Sequence, residues 1–171
     1  MQNAFLKQAD SCMRKKYDLL KEDVADEMQA IAQVLADLAQ LRHSMESDAA
    51  DTIKNAAMGT FLMNFYNGIE NIIKRISKVY YQTLPKGSDW HKELLALSCN
   101  PPQGKIPVFN TEIMDRLNPY REFRHLFVNG YGFRLRPERM LSLVANIDIL
   151  WADIKQAIEM FWGNLQAEGL L

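Results

Sequence analysis

The sequence predicts an all-α protein, an antiparallel helical bundle of four long helices plus one short helix. Three observations predict the bundle. Apolar residues recur at alternating three- and four-residue steps over long stretches, the spacing that gathers them on one stripe of a helix. Proline and glycine number only six and eight, too few for the many tight turns of a β-sandwich or barrel. With 48% hydrophobic and 24% charged residues the composition is that of a globular chain, and 171 residues are expected to form a single domain. A chain of that size buries roughly 70% of its unfolded surface around one core.

The first stripe is Tyr17, Leu20, Val24, Met28, Ile31, Leu35 and Leu38, which predicts a helix over roughly 13 to 43. Ser47 or Asp48 can cap the second, whose positions Ile53, Ala57, Phe61, Phe65, Ile69, Ile72, Ile76 and Tyr80 run to a breaker at Thr83 to Ser88. That helix is nearly three times the ~12-residue average, so the two are expected to lie antiparallel as the spine of the bundle. Asp89 is the cap candidate for a short helix carrying Trp90, His91, Leu94, Leu95 and Leu97. Asn100 to Pro107 reads as an irregular loop, because Pro101, Pro102, Gly104 and Pro107 cannot continue a helix. Asn110 or Thr111 starts the third long helix, with Ile113, Leu117, Tyr120, Phe123, Leu126 and Phe127 as its apolar side, stopping near Gly130 and Gly132. Pro137 opens the last, whose stripe is Leu141, Val144, Ile147, Trp151, Ile154, Ile158, Phe161 or Trp162, and Leu165.

Charge and cysteine usage bound the function. Cys12 and Cys99 are too few to staple a domain, which predicts a reducing, cytoplasmic location. No apolar run approaches the ~20 residues that span a bilayer, the nearest being Ala56 to Met63, and no leader is evident, so no membrane partner is expected. The net charge of −1 predicts no general attraction to phosphate backbones. Its distribution is lopsided: residues 17 to 51 hold nine acids against Lys21 and Arg42, whereas residues 121 to 139 hold five arginines against Glu122 and Glu138. The basic stretch is the candidate surface for an anion.

Common enzyme signatures are missing: no glycine-rich phosphate loop, no His-Glu-x-x-His, no Cys-x-x-Cys and no Gly-x-Ser-x-Gly. His43, His91 and His125 are too widely spaced to suggest a local metal clip, and neither a metal nor another cofactor is expected. What stands out is Tyr120-Arg-Glu-Phe-Arg-His-Leu-Phe-Val-Asn-Gly-Tyr-Gly-Phe133, where arginines, a histidine, an asparagine and tyrosines interleave with phenylalanines at a helix end.

Three segments carry a family resemblance: Asn64 to Ile76 in the second helix, Asp89 to Leu95 in the short helix, and Phe123 to Phe133. Together they resemble the HEPN superfamily and, within it, the HepT-like group of bacterial toxin–antitoxin proteins. The family signature is an arginine, four to six residues, a histidine, one residue and a tyrosine, which falls here on Arg124, Asn129 and Tyr131. The resemblance implies a homodimeric helical bundle that cleaves RNA without a metal. It also implies a cognate nucleotidyltransferase antitoxin that can adenylylate the motif tyrosine, here Tyr131. Polar residues of the second helix, here Glu70 with Tyr66 and Asn67, are expected to face and orient the arginines, as they do in HEPN proteins.

Metal-free RNA cleavage needs a proton removed from the 2′-hydroxyl, a proton given to the leaving 5′-oxygen and charge stabilised on phosphorus, work suited to a histidine and an arginine fork. Asn129 stands where the family has its histidine, and an amide is no general base. His125 is the expected substitute, since Arg121, His125 and Asn129 share one helical face. Arg124 lies about 140° around the helix from Asn129, so their convergence requires distortion near Gly130 or the partner subunit. Beside Trp90, His91 reads as a capping or packing residue. Two readings rival the ribonuclease: a catalytically degenerate HEPN protein that binds RNA or a nucleotidyltransferase, and a helical interaction protein with no nucleic-acid role.

Overall fold

A computed structural model describes residues 2–43, 51–129 and 137–171, with the side chains of 2–12, 51 and 137 left aside. Five helices follow one another, α1 (Gln2–His43), α2 (Asp51–Ile76), α3 (Trp90–Cys99), α4 (Thr111–Val128) and α5 (Pro137–Ala167), and no strand occurs among the described residues. The fold is an all-α bundle of four long helices and one short one. None of the described helices is long and apolar enough to cross a membrane.

α1 and α2 form the antiparallel spine. Asp23 and Glu27 of α1 pair with Arg75 at 3.0 and 3.1 Å, Ile31 lies against Gly68, and the Tyr17 ring meets Tyr80 edge-on at 6.1 Å. Residue numbers rise along one helix as they fall along the other. Gly68 is what allows the close approach: a Cβ there would stand 2.5 Å from Cγ1 of Ile31. The apolar stripe begins at Tyr17, but the helical backbone already runs from Gln2, because periodicity reports the packed face and not the helix end.

α2 continues through a π-helical turn, Ser77–Tyr81, and stops where Gln82 takes a left-handed conformation (φ 54°). The turn delivers two phenols to the loop ahead of α4. Tyr80 Oη accepts from the Ile106 N–H, while Tyr81 Oη accepts from the Val108 N–H and donates to the Ile106 carbonyl, each at 3.0 to 3.1 Å. The irregular 100–110 segment thereby satisfies backbone groups that no helix ladder serves.

Asn110 caps α4, its side-chain oxygen accepting from the Ile113 N–H at 2.9 Å. Pro119 lies inside α4 without ending it, since burial of Leu117, Tyr120 and Phe123 offsets a propensity cost of about 3 kcal/mol. α4 and α5 are tied by Arg116 to Asp153 and by the Tyr120 hydroxyl, which donates to the Leu143 carbonyl at 2.7 Å.

Several expected positions differ. Ile53, Leu126 and Leu141 are exposed, and Met58, Met140 and Leu150 are buried instead. Ile53 lies in the opening turns of α2, ahead of the buried run that starts at Met58, and Leu141 is one residue out of register with the core side. Asp89 precedes α3, but its backbone carbonyl and not its side chain receives the Lys92 and Glu93 N–H groups. Ser47, Asp48, Gly130 and Gly132 lie outside the described residues.

Candidate functional site

The described parts of the three segments that carry the family resemblance meet where α2, α3 and α4 pack together. α2 contributes Tyr66, Asn67 and Glu70, the first turn of α3 contributes His91, and the C-terminal half of α4 contributes Arg121, Arg124 and His125. Helical spacing explains the α2 group: Tyr66 and Glu70 are four apart, so both turn inward toward α4 and are buried.

Arg124 is the hub. Its Nε donates to the Asn67 amide oxygen at 2.5 Å, its Nη2 lies 3.7 Å from Oε2 of Glu70, and its Nη1 lies 3.4 Å from Nε2 of His91. The other ring nitrogen of His91, Nδ1, is bonded to Oε1 of Glu70. Glu70 is only 5% exposed, and its two oxygens are divided between the imidazole and the guanidinium, the pairing a buried carboxylate requires. Trp90 stacks on the His91 ring at 3.6 Å and carries Lys74 Nζ at 4.7 Å from its own ring centre.

His91 and Arg124 line a cleft of about 430 Å³ in which the cations Lys92, Arg121 and Arg124 outnumber the acids Asp89 and Glu122. The side chain of Arg124 is 20% exposed, so a guanidinium anchored from behind still presents N–H groups to solvent. Arg121 is held by Asn118 at 3.2 Å and lies 3.6 Å from Glu122. Burial pushes the Tyr66 phenol far up, with the Glu70 carboxylate adding to it and Arg121 and Arg124 pulling the other way. Tyr66 is therefore a neutral phenol and no base.

Asn129 and His125 contact each other at the C-terminal end of α4. Asn129 follows the last helical residue of α4; its amide donates to the His125 carbonyl at 2.8 Å and its nitrogen lies 3.3 Å from the exposed His125 ring. His125 lines the cleft, and its ring contacts Asn129. Tyr131 lies outside the described residues. The packing role read from sequence is half of what His91 does, as its contact with the Trp90 ring shows; the other half, its place between Glu70 and Arg124, had no signal in residue spacing because it depends on how α3 folds back onto α2. Among the described residues no group of three or more His, Cys, Asp or Glu side chains is placed to hold a metal ion.

Residues 57–165 match the family model described as HepT-like protein, a span that contains every residue of the hub. No curated protein and no solved structure matches the chain.

Proposed function

The chain belongs to the HepT-like protein family, and from that premise we propose that it is a toxin of the HepT type, a metal-independent endoribonuclease acting through Arg124, Asn129 and Tyr131. In this reading it works as a cytoplasmic homodimer, with Arg121 and His125 beside the motif, and is neutralised by a nucleotidyltransferase antitoxin that modifies Tyr131. The observation that carries the reading is the anchored guanidinium: Arg124 is fixed by Asn67 and Glu70 yet opens onto a cleft with Arg121 and Lys92. A fork held in advance can bind a phosphate at two points and stabilise the charge that develops on phosphorus without reorganising during the reaction.

Asn129 favours a second reading, a degenerate protein that keeps the scaffold and binds RNA or the nucleotidyltransferase without cutting. Its amide can hydrogen-bond a phosphate oxygen or ribose hydroxyl but cannot take a proton. End-group analysis of RNA incubated with the protein in EDTA separates the two. The ribonuclease reading expects undiminished cleavage with 2′,3′-cyclic phosphate ends. Intact RNA that is nevertheless retained by the protein points to the binding subunit. Sedimentation at micromolar concentration tests the dimer, which a strictly monomeric species contradicts.

A further inference from the structure

We propose that His91 is the general base of this cleft and that Glu70 is the positioning residue that sets its tautomer; the proposal rests on the ribonuclease reading above. The motif position that supplies the base elsewhere in the family is Asn129 here, so the proton acceptor has to come from another residue.

Two histidines reach the cleft, and their settings differ. His125 is exposed on α4, with its ring nitrogens 3.3 and 3.4 Å from the Asn129 amide. His91 is held on three sides, by Glu70 at Nδ1, by the Trp90 ring on its face, and by Arg124 at Nε2. Its side chain is nonetheless 25% exposed.

The contacts decide the tautomer. A guanidinium has donors only, so the 3.4 Å contact from Arg124 Nη1 is a hydrogen bond only if Nε2 carries its lone pair. The proton then sits on Nδ1 and is donated to Glu70, an arrangement that fixes both ring orientation and tautomer. Nε2 therefore faces Arg124, and its one lone pair becomes available to a ribose 2′-hydroxyl when a bound phosphate draws Nη1 away from the ring.

In the step that follows, Nε2 takes the proton of the 2′-hydroxyl as O2′ bonds to phosphorus and the P–O5′ bond breaks. The leaving O5′ takes a proton from water. The hydroxide so formed is neutralised by the proton held on the imidazolium, leaving a 2′,3′-cyclic phosphate and a 5′-hydroxyl. Glu70, buried and already bonded to Nδ1, stabilises the imidazolium while it exists. The charges facing His91 come from α2 as Glu70, from its own helix and cap as Asp89 and Lys92, and from α4 as Arg121, Glu122 and Arg124.

The test is the pH dependence of RNA cleavage by the full chain and by H91Q, H91A, E70Q and R124A, with melting temperatures recorded beside the rates. His91→Gln is expected to lower kcat by ~10²–10⁴-fold with little change in KM and to erase the acidic limb of the profile. Glu70→Gln is expected to retain that limb and to lower kcat by a smaller factor than His91→Gln, with KM little changed, because the ring has lost the group that fixes its tautomer. Added imidazole is expected to restore part of the rate to His91→Ala and none to R124A, a readout that a packing role for His91 does not produce. Cleavage that requires Arg124 but proceeds in H91Q with an unchanged rate and profile overturns this proposal alone. Absence of cleavage by the unaltered protein overturns it together with the ribonuclease reading.

Discussion

Asn67 accepts a hydrogen bond from Nε of Arg124 at 2.5 Å, joining α2 to α4. The bond fixes one edge of the guanidinium, whose terminal nitrogens lie 3.7 Å from Glu70 and 3.4 Å from His91 and are the ones an anion in the cleft would engage. A hydrogen bond to a charged group is worth about 1.5–3 kcal/mol. Asn67→Ala is therefore expected to slow RNA cleavage by roughly 10- to 100-fold and to lower the melting temperature by several degrees. Initial-rate kinetics check this, and an unchanged kcat means that Asn67 does not orient the arginine.

Asn129→His restores the residue type that the family motif carries. With His91 as the base, the substitution is expected to change the cleavage rate by less than about tenfold, well inside the ~10²–10⁴-fold range of a general base gained from nothing. A protein that is inert as it stands and gains robust cleavage on this change is the degenerate subunit of the second reading.

Gly68 and Ile31 set the distance between α1 and α2. A methyl group at 68 overlaps Cγ1 of Ile31 at 2.5 Å and Cδ1 at 2.8 Å. Overpacking of this kind costs about 1–3 kcal/mol, against a helix-propensity gain of about 1 kcal/mol for replacing glycine. Gly68→Ala alone is expected to be mildly destabilising. The double variant with Ile31→Ala is expected to be more stable than the sum of the single changes by about 1 kcal/mol or more in urea unfolding, since the deleted side chain makes room for the added methyl. Strict additivity contradicts the contact.

Tyr81 holds the segment that leads into α4. Tyr81→Phe deprives the Ile106 carbonyl of its phenol partner and leaves the Val108 N–H with the Ser98 carbonyl alone, 3.0 Å away. The expected loss is about 1–3 kcal/mol of stability, with faster amide exchange at Val108. Protection at Val108 equal to that of the unaltered protein excludes this role.

Alkaline stability follows from three phenols. Burial pushes Tyr66, Tyr81 and Tyr120 well above their ordinary value of 10.0. A group whose native pKa is raised contributes stability that is complete below the unfolded value and is lost as pH climbs toward the native one. Stability is thus expected to hold up to about pH 10 and then to fall by about 1.4 kcal/mol per pH unit for each of the three. Tyrosinate absorbance from these residues is expected to appear together with the loss of helical circular dichroism. Its appearance in the folded protein contradicts their burial.

The helices were legible because their apolar spacing is a local property: Val24, Leu35, Ile69, Ile72, Ile147 and Ile158 all sit where the 3.6-residue repeat places them. Ile53 and Leu141 were not, because periodicity specifies a stripe but not where along it a neighbouring helix begins to cover it. In the cleft, Asn67, Glu70 and Arg124 were legible through the resemblance, which names the facing residues of two helices. His91 was not. Its contacts are 21 and 33 positions away in sequence and depend on the short connection after Gln82 that returns α3 to α2. A histidine next to a tryptophan gives no sign of a carboxylate brought in by another helix.

The central claim is that the anchored guanidinium at the cleft, and no other arginine, does the work on RNA. Arg116 is the matched control: it is also on α4, comparably shielded, and engaged by a carboxylate, Asp153, on the side facing α5. Cleavage rates of Arg124→Ala and Arg116→Ala on the same RNA, in EDTA, give the most direct answer. The account predicts that the first abolishes cleavage and the second leaves it within a few-fold of the unaltered protein; equal rates in the two variants contradict it.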